Sequence, residues 1–378
     1  MDSNYVHYHF DVLIKSGKII SIQKSDNKTI PPKNAIVING ENKFLIPGLI
    51  DCHSHFYDND DRWLFVMNGI THTRVMSGTY EMLELKKEIL YNKKIGPRLF
   101  VSSPILGQNE LSDFEFVESI EDCLEIIQDC KSEGFDCLKI AGIDSLSYYK
   151  AIAKKCQQLK FKLVGHAPEA SDTDLLIECK QFSSEHLMFF HIEKNDEMKK
   201  LSESNIWLCP TLTAYTEVPH AKKEWSSIPE YKYVHTNLLK QWSKYPQEYI
   251  ANSNDLYTLK KLWQHGAKIV AGTDCRVEWV VPGFSIHSEL SNMVKYGLSE
   301  FAALQTATSN AAAMLEIDSN NGKVKSGFDA NLIILDKNPL EKIENTKTIN
   351  SVIINGLLLE NKDLEQIGLY VANKRNKL

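Results

Sequence analysis

The feature that most restricts this chain is an alternation that runs from residue 48 to residue 271. Eight short apolar, β-rich runs occur there: 48–52, 70–76, 98–103, 137–141, 162–165, 181–184, 206–209 and 268–271. Between them lie stretches with apolar residues at helical spacing. Residues 119–134 (SIEDCLEIIQDCKSEG) place Ile120, Cys123, Leu124, Ile127 and Cys130 on one face, with Gly134 as a stop signal. Residues 148–158 and 197–204 repeat the pattern. A continuous apolar run suits a strand buried on both faces, and the helix between runs returns the chain parallel to itself. Eight such units over about 250 residues predict an α/β protein built on a (β/α)8, TIM-like barrel. A doubly wound open sheet is the other arrangement that fits. No Gly-x-Gly-x-x-Gly follows a strand, so a dinucleotide site has no support.

The two ends of the chain carry a different grammar. Residues 10–14 and 18–22 alternate about a Ser16-Gly17 turn, and 35–38 and 43–46 continue the pattern up to Pro47-Gly48. After an Ala-rich helical run at 300–315, strand-like runs return at 331–335 (NLIIL) and 351–354, the latter closed by Asn355-Gly356. Neither end can bury a core alone. The expectation is a composite β-sandwich of residues 1–47 and 320–378, attached to a barrel of residues 48–319. The charged tail from Lys362 reads as a surface helix. Residues 213–265 form the longest connection and include Tyr215, Trp225, Tyr231, Tyr233, Trp242, Tyr245, Tyr249, Tyr257 and Trp263. Such an insertion either builds the mouth of a site or packs its aromatics into a core of its own.

Charge and composition remove several classes. The 378 residues hold 43 Lys+Arg against 49 Asp+Glu, a net charge of −6. A nucleic-acid binder is usually basic on at least one face, so no nucleic-acid partner is expected. No window approaches 18 consecutive apolar residues, so no membrane span is expected, and the first residues lack a secretory layout. Eight cysteines without a Cys-x-x-Cys pair read as reduced, buried thiols, which fits a cytoplasmic location.

The chemistry concentrates where strands end. His53-Ser54-His55 follows the first run, and residues two apart in a strand face the same way, so both imidazoles can converge on one ion. His166 follows the run 162–165, His186 the run 181–184, and Asp274 the run 268–271. A barrel places its active site at the C-terminal rim of its strands. Imidazole and carboxylate together suit zinc or a similar divalent ion. Lys139 lies inside a strand (Cys-Leu-Lys-Ile-Ala), where an ammonium must be paired or neutralised. It is either part of this chemistry or a lysine bridged to an acid at the strand end.

These residues sit in segments that resemble the amidohydrolase superfamily: Phe44-Leu-Ile-Pro-Gly-Leu-Ile-Asp-Cys-His-Ser-His55, Gly69-Ile-Thr, Gly165-His-Ala, Ser184-Glu-His186, Gly272-Thr-Asp274 and Gly327-Phe-Asp-Ala-Asn. The likeness spans nearly the whole chain and is strongest to the branch with imidazolonepropionase and prolidase-like dipeptidases. It implies two divalent ions, zinc above all. His53, His55 and Asp274 would hold the deeper one, and His166 and His186 the more exposed one. Lys139, carboxylated on its side-chain nitrogen, would bridge them. It also implies hydrolysis of a C–N (amide) bond in a small molecule such as a dipeptide, an N-acyl amino acid or a cyclic amide. No covalent intermediate forms in that scheme, Asp274 is the proton shuttle, and the enzyme is a homo-oligomer. Arg74, Tyr215, Arg276 and His287 are candidates for substrate contact, since Arg suits bidentate carboxylate recognition. Glu185 is a candidate support for the metal ligands, and His191 reads as structural. Two other readings remain. One is a single-ion imidazolone hydrolase or aminohydrolase (deaminase) with an ordinary Lys139; the other is a non-catalytic assembly protein.

Overall fold

The computed structural model describes residues 4–26, 30–107, 114–116, 119–143, 145–168, 173–187, 195–216, 228–242, 253–275 and 277–375. In chain order the strands are β1 (Phe10–Lys15), β2 (Lys18–Lys24), β3 (Phe44–Pro47), β4 (Leu49–Ser54), β5 (Ile70–Val75), β6 (Arg98–Val101), β7 (Ile105–Gly107) and β8 (Phe114–Phe116). They continue with β9 (Cys137–Ile140), β10 (Lys162–Gly165), β11 (Ser183–Glu185), β12 (Trp207–Cys209), β13 (Lys268–Ile269), β14 (Leu332–Leu335), β15 (Ile349–Ile354) and β16 (Leu357–Glu360). The helices are α1 (Asp61–Met67), α2 (Tyr80–Leu90), α3 (Ile120–Glu133), α4 (Leu146–Leu159), α5 (Thr173–Glu178), α6 (Asn195–Glu203) and α7 (Leu212–Thr216). Then follow α8 (Thr236–Trp242), α9 (Ser253–Gln264), α10 (Ser285–Lys295), α11 (Glu300–Thr306), α12 (Ser309–Met314) and α13 (Asn361–Arg375).

The eight apolar runs form a ring of parallel strands. β4, β5 and β6 pair in order, as do β9, β10, β11, β12 and β13. Ser103 N–H donates to Cys137 O at 2.8 Å, which joins β6 to β9. Cys52 N–H donates to Ala271 O at 2.9 Å, which brings the end of the β13 run back to β4. The result is an α/β fold with a (β/α)8 barrel. Every residue of β4, β5 and β9 is buried, as expected of strands covered by helices outside and by facing strands inside. β7 and β8 are additions after β6 and meet the ring at Leu106 and Ile140.

Local signals shape the helices. Ser119 caps α3 by accepting from Asp122 N–H, and Gly134 ends it with a left-handed φ of 96°. A cap of this kind contributes about 1 kcal/mol. Cys123, Ile127 and Cys130 form the buried face, as their spacing predicts. The run 300–315 is two helices rather than one. Thr306 O accepts from Ala271 N–H and Ala307 O from Ile50 N–H, so the last carbonyls of α11 are taken by barrel strands. The chain breaks there and restarts as α12.

The two ends share a sheet. β3 pairs antiparallel with β14, β14 with β15, and β15 with β16. The β1–β2 hairpin is a separate two-stranded sheet, tied to the segment before β14 through Ile19 N–H to Phe328 O at 2.9 Å and Ala330 N–H to Gly17 O at 2.8 Å. Ile19, Phe328, Leu332 and Ile353 fill the space between them. Residues 35–38 depart from expectation. They are not a strand, and Ile36 is 81% and Val37 69% exposed. Alternating β-formers need an edge to pair with, and no described strand offers them one. The tail helix α13 departs too, because it is not merely superficial. Leu364, Val371 and Arg375 are buried against α1 and the 3₁₀ turn Pro229–Tyr233. No described helix is long and apolar enough to cross a membrane, and all eight cysteines are buried free thiols.

Candidate metal centre

Strand alternation turns His53 and His55 to the same side at the end of β4. The loop after β13 is fastened against them. Thr273 donates through N–H (3.1 Å) and Oγ1 (2.8 Å) to the buried Asp51 carboxylate, and Asp274 N–H donates to His53 O at 2.8 Å. Gly272 permits the approach, for a Cβ there would lie 2.4 Å from Cys209 Sγ and 2.7 Å from His53 Cβ. Asp274 then sits with φ of 54°, and His186 after β11 with φ of 65°. Left-handed backbone at non-glycine residues stores about 1–3 kcal/mol each and persists only where surroundings enforce it. Both residues are candidate ligands.

The carboxylate of Asp274 is the meeting point. Its Oδ1 lies 3.0 Å from His55 Nε2 and 3.2 Å from His53 Nε2, and its Oδ2 lies 3.6 Å from His186 Nδ1. The His186 ring is 4.8 Å from that of His53 and 4.7 Å from that of His166, centroid to centroid. His55 Nδ1 contacts Ser77 Oγ at 2.7 Å, and His186 Nδ1 contacts Thr211 Oγ1 at 2.8 Å. Lys139, 2% exposed, points from β9 into the same interior. Its electrostatic field reaches His55, His166 and His186.

Burial dominates the electrostatics. It lowers His55 and brings His186 down to about 3, so both imidazoles are neutral and able to ligate. It lowers His166 strongly, with Lys139 adding to the effect. Lys139 is itself lowered by burial, opposed by Glu185 and Asp274 and assisted by Arg74, which favours the free amine that carboxylation requires. Asp274 resists burial: the neighbouring His53 and His186 hold it well below the usual carboxylate range. Burial pushes Asp51 up to about 6, against the pull of its hydrogen bonds from Thr273 and His53.

Among the described residues, two groups of side chains have ligand atoms mutually within 4.8 Å: His53, His55 and Asp274, and His53, Glu185 and Cys209. The first is a buried N/O set of the kind that holds zinc and similar ions. The second is not free for an ion. Both Glu185 oxygens accept from Arg74 Nη2, at 2.8 and 2.9 Å, and burial raises the Cys209 thiol far above its ordinary range.

Among the expected substrate contacts, two are relocated. Arg74 is 2% exposed and its fork is spent on Glu185, on Ser183 Oγ and on Cys52 O, so it faces the barrel interior and not a ligand. His287 is buried with Nδ1 3.0 Å from Thr346 Oγ1, so it faces the C-terminal segment and not Asp274. Tyr215 stands at the rim with its ring 5.6 Å from that of His186. Arg276 and His191 lie outside the described residues. Sequence reasoning missed Asp51, Thr273 and Glu289. Asp51 stood inside the entry motif. Glu289 is buried and caps α7 by accepting from the Leu212 and Thr213 amides at 3.0 and 2.7 Å, a role with no local signature.

A model of the amidohydrolase family matches residues 44–359. No curated protein sequence matches the chain. Among solved structures, a Xaa-Pro dipeptidase with bound methionine superposes with a TM-score of 0.72 at 21% identity, covering 95% of this chain and 97% of that one. A bottromycin amidohydrolase gives 0.77 at 18%, covering 97% and 86%. A putative prolidase from Bifidobacterium longum gives 0.74 at 20%, covering 96% and 93%. The structural likenesses carry the fold. The family match covers most of the chain, and the protein belongs to the amidohydrolase family. It is a hydrolytic enzyme acting on carbon–nitrogen bonds.

Proposed function

We propose that this enzyme is a binuclear, metal-dependent amide hydrolase acting on a dipeptide, an N-acyl amino acid or a cyclic amide. The carrying observation is the convergence of His53 Nε2 and His55 Nε2 on Asp274 Oδ1, at 3.2 and 3.0 Å, with the His186 ring 4.8 Å from that of His53 and 4.7 Å from that of His166. His53, His55 and Asp274 would hold one ion, and His166 and His186 the other. Lys139, as a carbamate, would bridge them. Bound there, divalent zinc-like ions supply Lewis acidity and a water acidic enough to attack at neutral pH.

The chain's own residues do the rest. Asp274 is held well below the usual carboxylate range, so it is ionised and can accept the attacking water's proton. The same carboxylate then donates that proton to the leaving nitrogen. The Tyr215 phenol, beside His186, supplies a rim contact for a polar end of the substrate. The dipeptidase and prolidase likenesses favour a peptide-like substrate. The buried free thiols agree with a reducing compartment such as the cytoplasm.

A single-ion reading draws on the tightness of one triad, His53, His55 and Asp274. Metal content separates the two. Elemental mass spectrometry on protein purified without chelator and with bicarbonate should find two equivalents, and one or fewer in Lys139→Ala. One equivalent unchanged by that substitution would reject the bridged pair. Asp274→Asn should lower kcat by a factor of about 10³ or more against a dipeptide panel, in line with loss of an acid–base group in a metal site. Wild-type turnover in that variant would end the shuttle assignment.

A further inference from the structure

We infer that the buried Arg74–Glu185 pair is a positioning device for His53, fixing the ring tautomer that turns a bare Nε2 toward the metal centre. The inference rests on the metal-dependent reading above. Arg74 belongs to β5 and Glu185 to β11, so the pair spans the barrel interior beneath the β4 rim. His53 Nδ1 lies 2.8 Å from Glu185 Oε2. The opposite carboxylate oxygen accepts from Ser183 Oγ, and Arg74 Nη2 donates to both oxygens. Arg74 is held in turn by Cys52 O at 2.6 Å and Ser183 Oγ at 2.8 Å.

The consequence follows from donor and acceptor chemistry. An ionised carboxylate only accepts, so a hydrogen bond to Glu185 requires the proton on His53 Nδ1. In the neutral ring, Nε2 then carries a lone pair and no proton. That lone pair faces Asp274 Oδ1, a second acceptor, across 3.2 Å. Two acceptors opposed in a buried site repel unless a cation or a further proton lies between them. The geometry therefore readies His53 for an ion. A carboxylate on the outer nitrogen also raises the ligand basicity of the inner one. A purely structural reading of the ion pair is weaker, because a buried pair can often be exchanged for apolar residues of similar volume without loss of stability.

Two double variants separate positioning from packing. Arg74→Met with Glu185→Leu removes the pair and the acceptor for Nδ1. Arg74→Met with Glu185→Gln removes the pair but keeps a neutral acceptor. Zn2+ affinity is read by competition with a chromophoric chelator, folding by circular dichroism. The His53 tautomer in the wild-type, metal-free protein is read by 15N shifts. The Leu double should fold yet bind Zn2+ about 10–100-fold more weakly, the usual effect of losing a supporting carboxylate. The Gln double should recover most of that loss. A His53 proton on Nε2, or a folded Leu double within twofold of wild-type affinity, overturns the proposal. If the Leu double does not fold, the wild-type tautomer decides alone. Wild-type protein that binds no Zn2+ would overturn the metal-dependent reading itself, a result distinct from either.

Discussion

At the scale of single residues, the site depends on groups that do no chemistry. Gly272 lets the Asp274 loop lie against β4. An added methyl would stand 2.8 Å from His53 N and 2.4 Å from Cys209 Sγ, and the backbone neighbour cannot yield as a flexible side chain would. Gly272→Ala should lose about 1–3 kcal/mol of stability, the usual range for overpacking, and should displace His53 enough to weaken metal binding. A melt and a metal titration check it; wild-type values in both would contradict the argument. Glu289 supplies a pH signature. Burial pushes its carboxyl up from 4.5 to about 8, against the pull of the Thr213 and Leu212 hydrogen bonds. The folded state thus binds more protons than the unfolded chain between those limits. This contribution is fully present below pH 4.5 and is lost as pH rises through 8, at up to about 1.4 kcal/mol per pH unit. Glu289→Gln should remove that slope from denaturant titrations at pH 5, 6.5 and 8.

At the scale of elements, the last helix reaches back to the loop after β4. Arg375 of α13 donates to Asp61 Oδ1 at 2.6 Å and contacts Asp58, while Lys374 contacts Asp60. These aspartates lie within the segment 58–61, shortly after His55. Burial pushes Asp61 up to about 7 in spite of the Arg375 charge, a sign that its carboxylate depends on this partner. Arg375→Met should cost about 3–5 kcal/mol, because the buried acid is left unpaired, and Asp61→Asn in addition should restore much of it. Equal melting temperatures for the single and double variants would show that the pair does not act as a unit. The helix also illustrates what a sequence hides. Its charged residues gave a surface helix, which it is along most of its length, but whether its terminal Arg meets solvent or a buried Asp depends on docking some 310 residues away in sequence.

At the scale of the whole molecule, the proposed ligands come from β4, from the ends of β10 and β11, and from the loop after β13, so the proposed centre would tie together opposite sides of the ring. An ion that binds only the folded chain stabilises all of it by mass action. Dialysis against chelator should lower the melting temperature by about 3–8 °C, and Zn2+ should restore it. No change would mean that the centre contributes nothing to the barrel's stability.

The sequence by itself determined the barrel strands, the rim positions of His53, His55, His166, His186 and Asp274, and the pairing of the chain's two ends. Each of these rests on a local period or on a residue's place at the end of a run, and neighbours along the chain carry that information. Only the tertiary structure decided that Arg74 is spent on Glu185 and not on a ligand, that His287 faces Thr346, and that residues 35–38 find no edge among the described strands. The physical reason is common to all three. A donor fork, an imidazole or an apolar run states what it requires, but its partner lies more than fifty residues away or is absent, and only the packed chain selects which requirement is met.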